Sequence, residues 1–416
     1  MKYIIAGTGP AGVIAAETLR KVDPRANILL VGDEPEPPYS RMAIPYLLSG
    51  GIDEAGTHLR KAKDHYQGLK IRILRDRITR VSAKKHEVTL DGGKTESFDR
   101  LLIATGASAV KPPVDGLDLP GVHHCWTLED ARNIARLAEK GSPVVLMGAG
   151  FIGCIILESL ISRGVKLTVV EMEDRMAPKM MNDTAAALLK SWCQDKGVTV
   201  KTGTSVSKVA AADGGGLTVH LSQGRPLQAE LVVVATGVRS NTGFLKGSGV
   251  KVKDGVVVDD RLQSSVDGIY AAGDAAEGPD FSGGWMVHAI QPTAAEHGRI
   301  AALNMAGHET TYKGSLIMNV LDTAGLISTS FGHWQGVKGG EVSESLDRRR
   351  CRYTRLAFEG DVIVGALMLG RTDHVGVLRG LIQTRAPLGF WKQKLMADPN
   401  RVMEAYLACA LDLSAA

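Results

Sequence analysis

This chain has no apolar run that reaches the ~18 residues a membrane-spanning helix needs, so no membrane span is expected. It has no C-x-x-C and no other closely spaced cysteine pair. Its five cysteines, Cys125, Cys154, Cys193, Cys351 and Cys409, are odd in number and far apart. That pattern reads as reduced thiols in an intracellular protein. It excludes a zinc site or iron–sulfur cluster held by this chain alone. A charge bias of one sign is also lacking. The 49 basic and 45 acidic residues leave a net charge of +4, too even for a nucleic-acid binder. No charged n-region or cleavage site precedes the first apolar strand. No signal peptide is therefore expected, and the location implied is cytoplasmic.

What is present is an ordinary globular composition, 44% hydrophobic and 23% charged. The length allows roughly two to four domains. Lys2 to Ile5 reads as a short buried strand. Gly7, Gly9 and Gly12 then form G-x-G-x-x-G, enclosing Pro10 and Ala11, and a helix runs on to Val22. Strand, glycine turn and helix together place a pyrophosphate on a helix N-terminus. Asn27 to Val31 is the next strand, followed by Asp33 and Glu34. One of these two acids stands where a dinucleotide fold binds ribose hydroxyls. Pro35 to Gly51 is rich in prolines, which stop regular structure. Its Arg41 is a candidate pyrophosphate partner, because a guanidinium offers phosphate paired donors. Arg100 to Gly106 is a buried strand that ends in the small residues Ala104-Thr105-Gly106.

The pattern then recurs. Pro143 to Met147 reads as a strand, Gly148 to Gly153 as a second G-x-G-x-x-G containing Gly150, Phe151 and Ile152, and Lys166 to Val170 as the next strand, ending at Glu171. Glu171 favours NAD over NADP, since a carboxylate accepts bonds from the 2′-OH and repels a 2′-phosphate; Arg175 nearby works against that preference. Val232 to Gly237 repeats the strand-plus-ATG ending. Gly268 to Asp274 is an apolar strand closing on Gly273-Asp274, and Pro292 to Met305 is a helix. From Thr311 the pattern shifts to β-branched and glycine-rich strands, with helices over Val375 to Thr384 and Arg401 to Leu411. Arg348, Arg349, Arg350, Arg352 and Arg355 form a basic run that could dock an acidic partner. His123 and His124 carry no metal site, because neighbours on a strand point to opposite faces.

Four fingerprints in this order, Gly7 to Gly12, Ala104 to Gly106, Gly148 to Gly153 with Glu171, and Tyr270 to Asp274, resemble the FAD-dependent pyridine nucleotide–disulfide oxidoreductase superfamily. The likeness covers roughly residues 1–310. It implies an α/β fold with two Rossmann-like domains and a C-terminal α+β interface domain. The FAD-binding domain would take 1–110 and 240–312, the NAD-binding domain 111–239, and the interface domain 313–416. FAD would be held by Gly7, Gly9, Pro10, Ala11 and Gly12, by Asp33 or Glu34, and by Arg41, Ile78, Ala104, Thr105, Gly106, Gly273 and Asp274. Gln291, Pro292 and Thr293 would meet its flavin end. NAD would lie on Gly148, Gly150, Phe151, Ile152, Gly153, Glu171 and Gly237.

Two departures narrow the activity. Pro35 to Gly51 holds no redox cysteine, with Met42 about where a single one would stand, and no C-terminal His-x4-Glu pair is apparent. Ile155 replaces a glutamate that many relatives carry near the nicotinamide. The remaining likeness is to the rubredoxin/ferredoxin-reductase and nitrite-reductase-like branch, and to FAD subunits of multisubunit aldehyde or 2-oxoacid oxidoreductases. The implied function is electron transfer between NAD(H) and an iron–sulfur carrier or partner subunit, by an oligomer or complex subunit, with no catalytic acid or base. The rival readings are an oxidase, peroxidase or disulfide reductase, and a flavin-bearing scaffold or sensor.

Overall fold

The strand Lys2–Ala6 lies at the centre of a five-stranded sheet. Ile269–Ala271, Arg100–Ile103, Lys2–Ala6, Asn27–Gly32 and Ile71–Arg75 follow one another across it, all parallel. A parallel sheet is covered on both faces, so its strands are continuous apolar runs. Ile4, Ile5, Leu101, Leu102 and Ile103 are accordingly 0% exposed. Each such side chain contributes about 1.5–3 kcal/mol by leaving water. The helix Pro10–Val22 covers one face, started by Pro10, whose missing N–H costs nothing at that position. The helix Gln291–Met305 lies against it so closely that a Cβ on Gly298 would fall 2.2 Å from Ala11 O.

The computed structural model describes residues 1–414 and divides into two compact units. The sheet above belongs to the unit formed by Met1–Ser108 with Val238–Ser315. Ala109–Gly237 and the chain from Leu316 onward form the other. It too has a parallel sheet, ordered Thr199–Lys201, Lys166–Val170, Pro143–Met147, Leu231–Val234, Val122–His124. The α/β, Rossmann-like architecture expected from the glycine turns is thus present in both units.

The second unit also holds an antiparallel sheet, Met318–Thr323, Leu326–Gly332, Val362–Leu369, Arg352–Glu359 and Glu341–Asp347 in that order. Polar contacts tie it to the helices beside the second glycine turn. Glu158 accepts from Ala324 N, Trp192 Nε1 donates to Ala324 O at 3.0 Å, and Asn182 Nδ2 donates to Tyr353 OH at 2.7 Å.

Several elements differ from the sequence reading. The helix Asp183–Asp195, the strand Glu341–Asp347 and the short helix Trp391–Ala397 were not anticipated. The helix Leu128–Leu137 precedes the second glycine turn, and Val256–Val257 is a strand of two residues. Of the basic run, Arg348 to Arg350 stand in an exposed turn, while Arg355 lies within a strand and pairs with Glu344. Among the described residues, no helix is long and apolar enough to cross a membrane.

Candidate functional site

In the first unit the strand order reverses between Lys2–Ala6 and Arg100–Ile103. The crevice beyond the carboxyl ends of such strands is where open α/β sheets bind ligands. Gly7 and Ala104 meet there. Gly7 has φ +119, and a Cβ on it would lie 2.0 Å from Ala104 O. A Cβ on Gly12 would lie 2.0 Å from Gly7 O, whereas one on Gly9 would meet nothing within 4 Å. Two glycines therefore permit the fold, and the third faces open space. No side chain caps the helix at Gly9, so its first N–H groups are left for a ligand.

The second unit repeats this. Gly148 has φ +102 and sits 2.6 Å, by its hypothetical Cβ, from Ala235 O; Gly153 sits 2.2 Å from Gly148 O; Gly150 faces open space. The helix Phe151–Ser162 again has no side-chain cap. By contrast Thr127 caps Leu128–Leu137 and Asn182 caps Asp183–Asp195 with their own oxygens.

The acids behave differently in the two units. Glu171 is 5% exposed and accepts from Ala149 N at 2.5 Å and from Glu173 N at 2.9 Å. Asp33 is exposed and accepts from Arg77 Nε at 2.7 Å. Glu34 is half-buried and accepts from Arg41 and from Tyr39 OH, each at 2.5 Å. Arg175 pairs with Asp183 and Asp174.

Bonds link several of the other expected residues of the first unit. Thr105 Oγ1 donates to Asn241 O at 2.7 Å, and Asn241 Nδ2 returns a bond to Thr105 O at 3.0 Å. Gly106 takes φ +63 and faces open space. Burial raises the Asp274 carboxyl to about 6, against the opposing pull of Arg41. Gln291 opens its helix, bonded through Oε1 to Ser40 Oγ, and Thr293 bonds Ser315. Ile78 is buried in the same core at the start of Ile78–Ser82. In the second unit Gly237, at φ +116, faces open space, and Ile155 is half-buried on the glycine-turn helix. Ser40, Asn241 and His297, bonded to Gln291, Thr105 and Gly273, were not singled out from the sequence. A lone serine, asparagine or histidine carries no periodic signal.

Residues 1–298 match the family model described as pyridine nucleotide-disulphide oxidoreductase. The chain belongs to that family. The NADH-dependent phenylglyoxylate dehydrogenase subunit epsilon of Aromatoleum evansii is 31% identical over 405 residues, 96% of each chain. The rubredoxin-NAD(+) reductase of Pseudomonas putida is 30% identical over 289 residues, 69% of this chain and 75% of that one. The solved structure of a covalent putidaredoxin reductase–putidaredoxin complex aligns with 98% of this chain and 99% of that one, at TM-score 0.90 and 23% identity, a likeness of fold. Like its family, this oxidoreductase binds FAD and uses NAD(H). The residues fit such cofactors. Each unit offers an uncapped helix N-terminus beside a glycine whose missing Cβ leaves open space.

Proposed function

We propose that this oxidoreductase passes electrons between NAD(H) and an iron–sulfur carrier protein or iron–sulfur partner subunit. The observation that carries this is where the thiols are. None lies in Pro35 to Gly51. Cys125, Cys154, Cys193 and Cys409 are buried, and Cys351 is half-buried. Burial raises the thiol pKa of Cys125 and Cys193 to about 12 and pushes those of Cys154 and Cys351 up as well. A thiolate is the form that disulfide and sulfenate redox chemistry passes through, so buried free thiols with raised pKa offer the flavin no disulfide or sulfenate relay, and its electrons go to an acceptor off this chain. The names of the relatives, a rubredoxin reductase and a subunit of an NADH-dependent dehydrogenase, support the same reading.

Bound FAD supplies the redox chemistry, taking a hydride and releasing single electrons. The chain binds and orients. Gly7, Gly9, Pro10, Ala11 and Gly12 present backbone to the FAD pyrophosphate, and Glu34 or Asp33 serves its ribose. Arg41 offsets phosphate charge while remaining paired with Glu34. Asp274 accepts from the ribityl side, and Gln291 to Thr293 bring a helix N-terminus to the flavin. Gly148 to Gly153 and Glu171 serve NAD, with Gly237 on its far side. No side chain has to move a proton. The exposed Arg348, Arg349 and Arg352 give an acidic carrier a place to dock.

An anaerobic NADH titration of the purified protein tests this. NADH should bleach the flavin, and the reduced protein should reduce an iron–sulfur acceptor but neither peroxide nor a disulfide. Bleaching followed by peroxide turnover would favour an oxidase or peroxidase. No bleaching would favour a flavin-bearing scaffold.

A further inference from the structure

His297 sits on the helix Gln291–Met305 and is 1% exposed. Its Nδ1 accepts from Gly273 N at 3.3 Å. An acceptor Nδ1 requires the neutral ring with its proton on Nε2. That Nε2 is buried with no hydrogen-bond partner. A phenyl or isobutyl group would fill this position without leaving an orphaned donor. The imidazole therefore has to be explained by what its other nitrogen holds.

Gly273 is the residue before Asp274. It takes φ +67, and a Cβ there would meet Ala294 Cβ at 3.2 Å and Ala11 Cβ at 3.4 Å. The turn is thus wedged between the glycine-turn helix and the helix of His297, and the imidazole bond fixes its height. The next residue after His297, Gly298, is the one in contact with Ala11 O. The ring is held by an aromatic contact too. Tyr312 packs edge-on at 4.6 Å and 90°. Its hydroxyl bonds Ser315, which bonds Thr293 Oγ1 at 2.7 Å. His297 therefore bonds the Gly273–Asp274 turn directly and reaches the start of the helix at Gln291 through Tyr312 and Ser315, while its neighbour Gly298 packs on the glycine-turn helix.

We infer that His297 is a positioning residue, which through Gly273 holds the Asp274 carboxylate in the attitude that FAD requires. This rests on the reading of Asp274 as an FAD ligand. Burial, with His288 adding to it, lowers the imidazole pKa to about 3, so the bond to Gly273 persists at any working pH. His288 itself is engaged by Asp280 at 2.8 Å and leaves Nδ1 of His297 to Gly273.

The test uses FAD affinity, by flavin fluorescence on the full chain, and the flavin absorption spectrum. His297→Phe should weaken FAD binding about tenfold, ~1.4 kcal/mol, and alter the spectrum. His297→Asn, whose Oδ1 can accept the same N–H, should recover most of that loss. Asp274→Ala should weaken binding at least as much as His297→Phe. If Asp274→Ala loses FAD while His297→Phe binds it like the wild type, the positioning role is overturned. It is equally overturned if the Asn and Phe variants lose the same amount. If Asp274→Ala binds normally, the underlying reading of Asp274 falls, and this inference with it. Nitrogen-15 NMR of the histidine-labelled wild type needs no variant to fold. It should show a neutral ring protonated at Nε2, and a ring protonated at Nδ1 would overturn the inference.

Discussion

The two glycine turns are copies in backbone and differ in where the following acid stands. In each, the first glycine donates to the end of the neighbouring strand, Gly7 N to Val31 O at 2.7 Å and Gly148 N to Val170 O at 2.8 Å. In each, the strand across the crevice is pinned at the same place, by Ala104 N to Ala6 O and Ala235 N to Met147 O, both 2.8 Å. They diverge at the next residue. After Val170 comes Glu171, whose carboxylate turns back onto Ala149 N inside the turn. After Val31 comes Gly32, where a Cβ would fall 2.7 Å from the Thr8 side chain. Thr8 takes the space, and the acids move one and two residues onward to partners outside the turn. The two turns thus share a backbone, and one residue decides how far from it the following acid stands.

The largest effects should come from glycines whose Cβ would strike backbone. Gly12→Ala meets Gly7 O at 2.0 Å and Gly153→Ala meets Gly148 O at 2.2 Å. Gly12→Ala should yield protein that purifies colourless. Gly153→Ala should keep its yellow flavin and raise the KM for NADH about tenfold or more, ~1.4 kcal/mol. If Gly153→Ala loses flavin and Gly12→Ala keeps it, the division of labour is reversed. Gly9→Ala and Gly150→Ala make a finer pair, because neither strikes protein within 4 Å. Both should melt like the wild type without cofactors, and each should weaken only its own dinucleotide.

The glycine turns were legible because they combine three signals at fixed offsets: an apolar strand, glycines where φ is positive or backbones touch, and an apolar helix. Lys166–Val170 and Pro143–Met147 were placed to the residue for the same reason. The helix Asp183–Asp195 was passed over, although Asn182 is a good N-cap and Ala185, Ala186, Leu188, Leu189 and Cys193 form its buried stripe. The strand Glu341–Asp347 was obscured because it lies at a sheet edge and its acids fall at every third position, Glu341, Glu344 and Asp347, without the alternation that marks a strand. Within the site, positions set by backbone were readable. The pairings of Glu34 with Arg41, Ser40 with Gln291 and Gly273 with His297 join residues distant in sequence or ambiguous in role, and no spacing announces them.

The contrast between the acids predicts a middle-sized effect. Glu171→Ala strips the acceptor from two backbone N–H groups, one of them in the turn. Each buried N–H left unpaired costs about 1–3 kcal/mol. The KM for NADH should therefore rise, and discrimination against NADPH should fall as the repelling charge goes. Glu34→Ala breaks a half-exposed pair worth about 0–1 kcal/mol. It should change FAD affinity less than Glu171→Ala changes NADH affinity. Equal losses would mean that burial does not separate the two acids.

The effect most sensitive to pH should appear at Asp274. Glu171 is buried with backbone donors on both oxygens, whereas the carboxylate of Asp274 has, among the described residues, only its own backbone N–H. Burial is the larger influence, and the carboxyl rises from the ordinary 3.8 to about 6. Between those values the folded chain binds more protons than the unfolded one, so stability falls as pH rises through that window and stays lower above it. Asp274→Asn removes the charge and the dependence together. In FAD-free protein it should match the wild type near pH 4 and exceed it above pH 6 by ~2–3 kcal/mol, read from melting temperatures across pH. Saturation with FAD should reverse the sign above pH 6, because the ligand then supplies hydrogen bonds that a carboxylate accepts better than an amide. A variant no more stable than the wild type at pH 7 without FAD would show that Asp274 is already satisfied, and that the crevice does not hold a carboxylate waiting for its ligand.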